Sequence, residues 1–164
     1  MNVAFDNLPD RARVWVYQAS RPLTEAELVG LLPRLTTFAH EWTSHGQQLV
    51  ASAQFLHRQF LVIGLDEAAA GASGCSIDAS VRFVRELEQT LGAGLLEKSQ
   101  MAFLDKGELR LLTRRELRAA IAAGQVGPDT LYFDNTLTTK GELDDHWPAP
   151  AAQTWLASYF AKQD

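Results

Sequence analysis

Two apolar runs, residues 49–56 (LVASAQFL) and 59–65 (QFLVIGL), are separated only by His57-Arg58, and no other feature constrains the fold as much. Each run has strand length. A gap of two residues leaves no room for a crossover connection, so the pair predicts a tight antiparallel hairpin. Neither turn residue is the glycine that such turns favour.

The flanking segments extend this hairpin into an α+β pattern. Residues 13–19 (RVWVYQA) are β-branched and aromatic with alternation, and read as a first strand. Thr24-Glu25-Ala26-Glu27 is a capping box, and it opens a helix carrying Leu28, Leu31, Leu32, Leu35, Phe38, Ala39 and Trp42 at helical spacing. Pro33 lies inside this stripe without breaking its phase, which predicts one kinked helix, with Gly46 as its stop. After the hairpin, the small-residue loop AAAGASGCS leads to a second helix with Ile77, Val81, Val84, Leu87 and Leu91 on one face, ending at Gly92. The order β-α-β-β-α predicts a ferredoxin-like layer over residues 1–95. A strand at 100–104 would complete that sheet, yet Asp105-Lys106-Gly107-Glu108 is also a good turn for pairing it with 109–112. Thr113–Glu116 is a second capping box, for a helix burying Leu117, Ala120 and Ile121. A strand at 130–133, a polar loop at 134–146 and a helix at 153–161 complete a smaller hairpin-helix-strand-helix unit over 98–164. Gly92-Ala93-Gly94 is its only plausible hinge.

Charge and cysteine usage narrow the function. The net charge is −5, and acidic residues outnumber basic ones 10 to 7 over residues 1–95 and 10 to 8 over 96–164. Sustained attraction to nucleic-acid phosphates is therefore not expected. Arg110, Arg114, Arg115 and Arg118 form the only basic cluster, read as a solvated helix face. One cysteine, Cys75, excludes an internal disulfide and a cysteine-based zinc cluster. No apolar run reaches membrane-spanning or signal-peptide length, so a cytoplasmic chain without a membrane partner is expected.

The segment Gly71-Ala72-Ser73-Gly74-Cys75-Ser76, running into a helix with Asp78 and Ser80, is the most informative candidate site. Glycines permit close backbone approach, and free amides at a helix start hold anions or favour a thiolate. Gly74, Cys75, Ser76, Asp78 and Ser80 are thus the candidate ligand-binding residues. The competing reading has Ser76 or Ser73 capping a helix over 76–91 and Cys75 packed as a small, buried or half-buried hydrophobe. A P-loop needs Lys-[Ser/Thr] after its second glycine, but Cys75-Ser76 follows Gly74, so ATP hydrolysis is not expected. The spacing Cys75-x6-Arg82 exceeds the Cys-x5-Arg of cysteine phosphatases by one residue, which turns the arginine by about 100° on a helix. Cys75 with His57 or His45 is the candidate nucleophile–base pair. Asp66 and Glu67, beside the loop, are candidate base or metal ligands. No histidine pair has zinc-ligand spacing, and neither metal nor cofactor is expected.

Two resemblances bear on these residues. His45-Gly46, the hairpin, and Gly74-Cys75-Ser76-Ile77-Asp78-Ala79-Ser80, with Trp147 and Trp155, resemble an uncharacterised family of short bacterial proteins often labelled "ABC transporter ATPase", although the Walker lysine and ABC signature are absent here. Separately, Glu116–Gly124, Asp129-Thr130-Leu131-Tyr132-Phe133 and Trp147-Pro148 resemble GYF-like bacterial modules, whose eukaryotic relatives hold proline-rich peptides on aromatic residues. The Gly-Pro before the helix is missing, and the aromatic first strand is reduced to Phe103. These readings point to a non-enzymatic binding protein that uses the Gly71–Ser80 loop, with tryptophans as contacts. Its partner is a protein, a small molecule or a second copy of the chain; the alternative is a cysteine-dependent enzyme.

Overall fold

The computed structural model describes residues 1–161, and the fold is α+β. Its elements in chain order are β1 (Arg13–Gln18), α1 (Glu25–Glu41), β2 (Thr43–Ser44), β3 (Gln47–Gln48), β4 (Val50–Leu56), β5 (Phe60–Asp66), α2 (Gly74–Leu91), β6 (Gln100–Asp105), β7 (Glu108–Thr113), α3 (Arg114–Ala122), β8 (Leu131–Tyr132), α4 (Lys140–His146) and β9 (Ala149–Pro150). The chain forms two compact units, residues 1–97 with 135–142, and residues 98–134 with 143–164.

In the first unit β5 is the central strand of an antiparallel sheet ordered β1-β5-β4. Its odd positions Leu61, Ile63 and Leu65 join the core with Leu31, Leu35 and Ala39 of α1 and Val84 and Leu87 of α2. Its other face meets the chain start so closely that a Cβ on Gly64 would lie 2.6 Å from Leu8 Cδ1, which explains the glycine. The ferredoxin-like fourth strand is not in this sheet. Residues 100–105 pair instead with 108–113, from Gln100↔Thr113 to Asp105↔Glu108. At the outer edge of β1, where that strand would add, the Val14 N–H donates to the Thr138 carbonyl at 2.9 Å. The opposite edge is met by the Val3 N–H, which donates to Ala51 O at 2.9 Å. These contacts occupy the Arg13–Val14 end of one edge and Ala51 on the other.

α1 runs unbroken through Pro33, opened by the predicted Thr24/Glu27 capping box and ended by Trp42 rather than Gly46. Gly46 turns β2 into β3, a short hairpin the sequence pattern does not show. Leu32, a member of the expected stripe, is 56% exposed, because it sits at the margin of the face that Leu31 and Leu35 centre on the core. His57 and Arg58 both adopt left-handed backbone (φ 54° and 56°), which costs a non-glycine residue about 1–2 kcal/mol. Contacts hold the strained turn: Arg58 O accepts from Leu23 N–H at 2.8 Å, and Arg58 pairs with Glu25 at 2.6 Å. The buried Gln59 amide donates to Ala19 O.

The second unit carries a sheet ordered β7-β6-β8-β9. Met101, Phe103, Leu112, Leu117, Ala120, Val126, Tyr132 and Leu156 form its core. The expected helix at 153–161 is a 3-10 segment, Trp155–Phe160. The expected polar loop at 134–146 contains α4.

Candidate functional site

The Gly71–Ser80 segment is shaped by its own polar groups. Asp66, ending β5, accepts from Ala68 N–H at 3.1 Å and pairs with Arg11 at 3.3 Å; Glu67 accepts from Ala72 N–H at 3.2 Å. Both carboxylates therefore have structural partners. α2 begins at Gly74, two residues earlier than expected, and its cap is Ser73. Ser73 Oγ accepts from Ser76 N–H (3.2 Å) while Ser76 Oγ accepts from Ser73 N–H (2.7 Å), a reciprocal capping box. The Trp42 indole donates to Ser76 O at 2.8 Å, clamping this helix end to α1. Ser80 Oγ donates to Ile77 O at 2.6 Å and bonds the Tyr17 hydroxyl, whose pKa is raised by burial and partly restored by that bond.

The five residues singled out do not converge. Ser76 and Ser80 are buried on the core face of α2, while Gly74, Cys75 and Asp78 are exposed. Cys75 is not the packed hydrophobe expected. One residue is about 100° of helix, so with Ser76, Ser80 and Phe83 taking the inner face, Cys75 turns to solvent. His57 does not serve it as a base. The two flank opposite ends of β5, whose seven residues span about 20 Å. The His57 ring stands edge-on to Phe60 at 6.2 Å, and desolvation lowers its pKa, keeping the imidazole neutral at pH 7. His45 occupies the β2–β3 turn, also with left-handed backbone (φ 51°). Among the described residues, no group of three or more His, Cys, Asp or Glu side chains is arranged to hold a metal ion, and no helix is long and apolar enough to cross a membrane.

Two other surfaces have ligand-sized relief. In the first unit a groove of about 760 Å³ runs between α1 and α2. Phe38 and Phe83 stack across it with centroids 4.3 Å apart and planes 2° from parallel, and Trp42 extends this floor. Arg34, Glu41, Arg82 and Glu86 line it.

In the second unit Trp155 is 44% exposed, whereas Trp42 and Trp147 are buried. Three contacts fix it. Its ring stands edge-on to Tyr132 (6.0 Å, 77°) and to Tyr159 (6.4 Å, 74°), and its indole N–H donates to the Tyr132 hydroxyl. Burial pushes the Tyr132 pKa upward, so the phenol stays neutral, and the indole bond opposes that shift without reversing it. Thr154 caps the segment by accepting from Leu156 N–H at 3.2 Å. A concavity of about 770 Å³ lies alongside, lined by Arg118, Ile121, Ala122, Ser158 and Tyr159.

No protein-family model, curated protein or solved structure matches the chain.

The pattern Trp155, Leu156, Tyr159, Phe160 marks an amphipathic segment, but spacing alone does not say that Leu156 takes the core and Trp155 the surface. Of the predicted basic cluster, Arg114, Arg115 and Arg118 are exposed on α3, and Arg118 reaches the concavity.

Proposed function

We propose that this chain is a non-enzymatic interaction protein, cytoplasmic in residence, whose second unit holds an extended segment of a partner protein against Trp155. The observation that carries the reading is the half-exposed indole held by Tyr132 and Tyr159 beside a concavity of about 770 Å³. A rigid aromatic side chain binds with little loss of rotamer freedom, which is why tryptophan and tyrosine dominate the energetics of interfaces. A polyproline II segment suits such a surface, since it is already extended and offers flat rings to an aromatic face. Arg118, lining the concavity, favours an acidic residue beside the prolines. An exposed Cys75 fits a compartment that keeps thiols reduced.

The test uses a synthetic oligoproline peptide carrying one glutamate, and its lysine counterpart, with acrylamide quenching of tryptophan emission as the readout. The glutamate peptide should shield the quenchable component, bind more tightly than the lysine peptide, and lose binding in Trp155→Ala. Equal quenching with and without saturating concentrations of either peptide would remove this reading.

A further inference from the structure

All five ion pairs among the described residues lie in the first unit. In the second unit Arg114, Arg115 and Arg118 stand exposed on α3, and among the described residues none of them has an ion-pair partner. The acidic side chain of α3, Glu116, is about 200° of helix from Arg114 and Arg118 and accepts from the Thr113 hydroxyl at 2.8 Å. Like charges three and four residues apart on a helix repel. Arg118 therefore meets Arg114 and Arg115 with no neighbouring carboxylate on α3 to offset them.

At about 100° per residue, Arg114 and Arg115 fall within about 60° of Arg118, in the strip of helix that gives Ile121 and Ala122 to the concavity. Its wall thus runs from apolar at Ile121 and Ala122 to cationic at Arg118 and Arg114. Tyr159 lines the same concavity and stands edge-on to Trp155 at 6.4 Å, so the aromatic and cationic ends belong to one surface.

Resting on the reading of Trp155, we infer that the partner segment carries a phosphorylated side chain, and that Arg114 and Arg118 hold its phosphate. Charge complementarity selects this occupant. A carboxylate brings one charge and matches one guanidinium. A phosphate monoester brings about −1.5 to −2 at neutral pH and three acceptor oxygens, which match two guanidinium forks at once. Helix residues one turn apart have Cβ atoms about 6 Å apart, so both long side chains reach one phosphate without backbone movement. The adjoining apolar and aromatic surface suits the rest of a peptide. A nucleic acid or an anionic membrane would instead meet a chain of net charge −5.

Calorimetric titration of the full chain with three oligoproline peptides, identical except for one serine, glutamate or phosphoserine, tests this. The phosphoserine peptide should bind about tenfold more tightly than the serine peptide, with the glutamate peptide between them. Arg114→Gln and Arg118→Gln, both at exposed positions, should each cut that advantage to about twofold or less, and added salt should shrink it. Trp155→Ala should weaken all three peptides alike, and single-stranded oligothymidylate should not displace the phosphoserine peptide. Equal affinity for serine and phosphoserine, or an advantage indifferent to both arginines, would overturn this inference and leave the Trp155 reading in place. Phosphoserine binding that needs the arginines but not Trp155 would keep the phosphate site and remove the aromatic one. Displacement by oligothymidylate would assign the arginines to nucleic acid and overturn the inference, and failure of all three peptides to bind would remove both.

Discussion

Leu32 and Leu35 are adjacent members of the same predicted apolar stripe, and the structure gives them opposite fates. Leu35 is 2% exposed within the α1–sheet core, whereas Leu32 is 56% exposed. Leu35→Ala removes the equivalent of three methylene groups from that core, about 2.4 kcal/mol in transfer free energy at ~0.8 kcal/mol each. The surrounding residues come from α1, α2 and three strands and cannot close the gap completely, so residual cavity adds about 1 kcal/mol. The expected loss is therefore about 3–4 kcal/mol. Leu32→Ala uncovers nothing and should stay within about 0.5 kcal/mol. Guanidinium denaturation followed by circular dichroism should shift by roughly 1 M for Leu35→Ala, taking a slope of about 4 kcal/mol/M. Hydrogen exchange of the α1 and β5 amides assigns that loss to the first unit. Equal costs at the two positions would refute the orientation of α1.

Three further outcomes follow from the geometry. Gly64→Ala drives a Cβ to 2.6 Å from Leu8 Cδ1 and 3.3 Å from Phe5 Cε2; it should cost about 1–3 kcal/mol by thermal denaturation, and a neutral effect would contradict the close approach of the chain start to β5. Cys75 should react with iodoacetamide in the folded protein, and Cys75→Ser should change stability by no more than about 0.5 kcal/mol; a thiol protected until unfolding would contradict its exposure. Arg21, at 2.8 Å, and the Thr24 N–H hold the Glu27 carboxyl at about 2, below its ordinary 4.5. Because the folded pKa is the lower one, this contribution to stability is complete above pH 4.5 and fades as pH falls toward about 2, which carbonyl NMR titration of Glu27 checks.

Where the sequence was readable, the signal was local. The Thr24/Glu27 box opens α1, Thr113 opens α3 by accepting from the Glu116 N–H without the reciprocal bond of a full box, and Gly92, in left-handed backbone, closes α2. KGELDDH has no apolar stripe to mark α4, although Thr139 and Glu142 carry the Ser/Thr-x-x-Glu signature and bond each other, the Glu142 N–H donating to Thr139 Oγ1 at 3.3 Å and the Thr139 hydroxyl to Glu142 Oε1 at 2.9 Å. The partner of strand 100–105 was not decidable from its own residues, since pairing with 109–112 or with the first sheet asks for the same alternation. What settles it is remote: Thr138 lies on β1's outer edge.

The site was less legible for a related reason. A loop of glycine and serine leading into a helix advertises free amides, but Ser73 and Ser76 bond each other, so the polar groups that suggested a ligand are occupied in building the helix end. Exposed apolar residues carry the opposite signature. In the sequence Trp155 and Leu32 are indistinguishable from core residues, because hydrophobic spacing reports which residues resist water and not which have found shelter from it. Burial separates the two classes, and it moves attention from the capped loop to the Trp155 surface. That surface carries a solvent-facing apolar side chain on firmly held backbone, the condition under which covering it with a partner gains hydrophobic free energy without first ordering the chain.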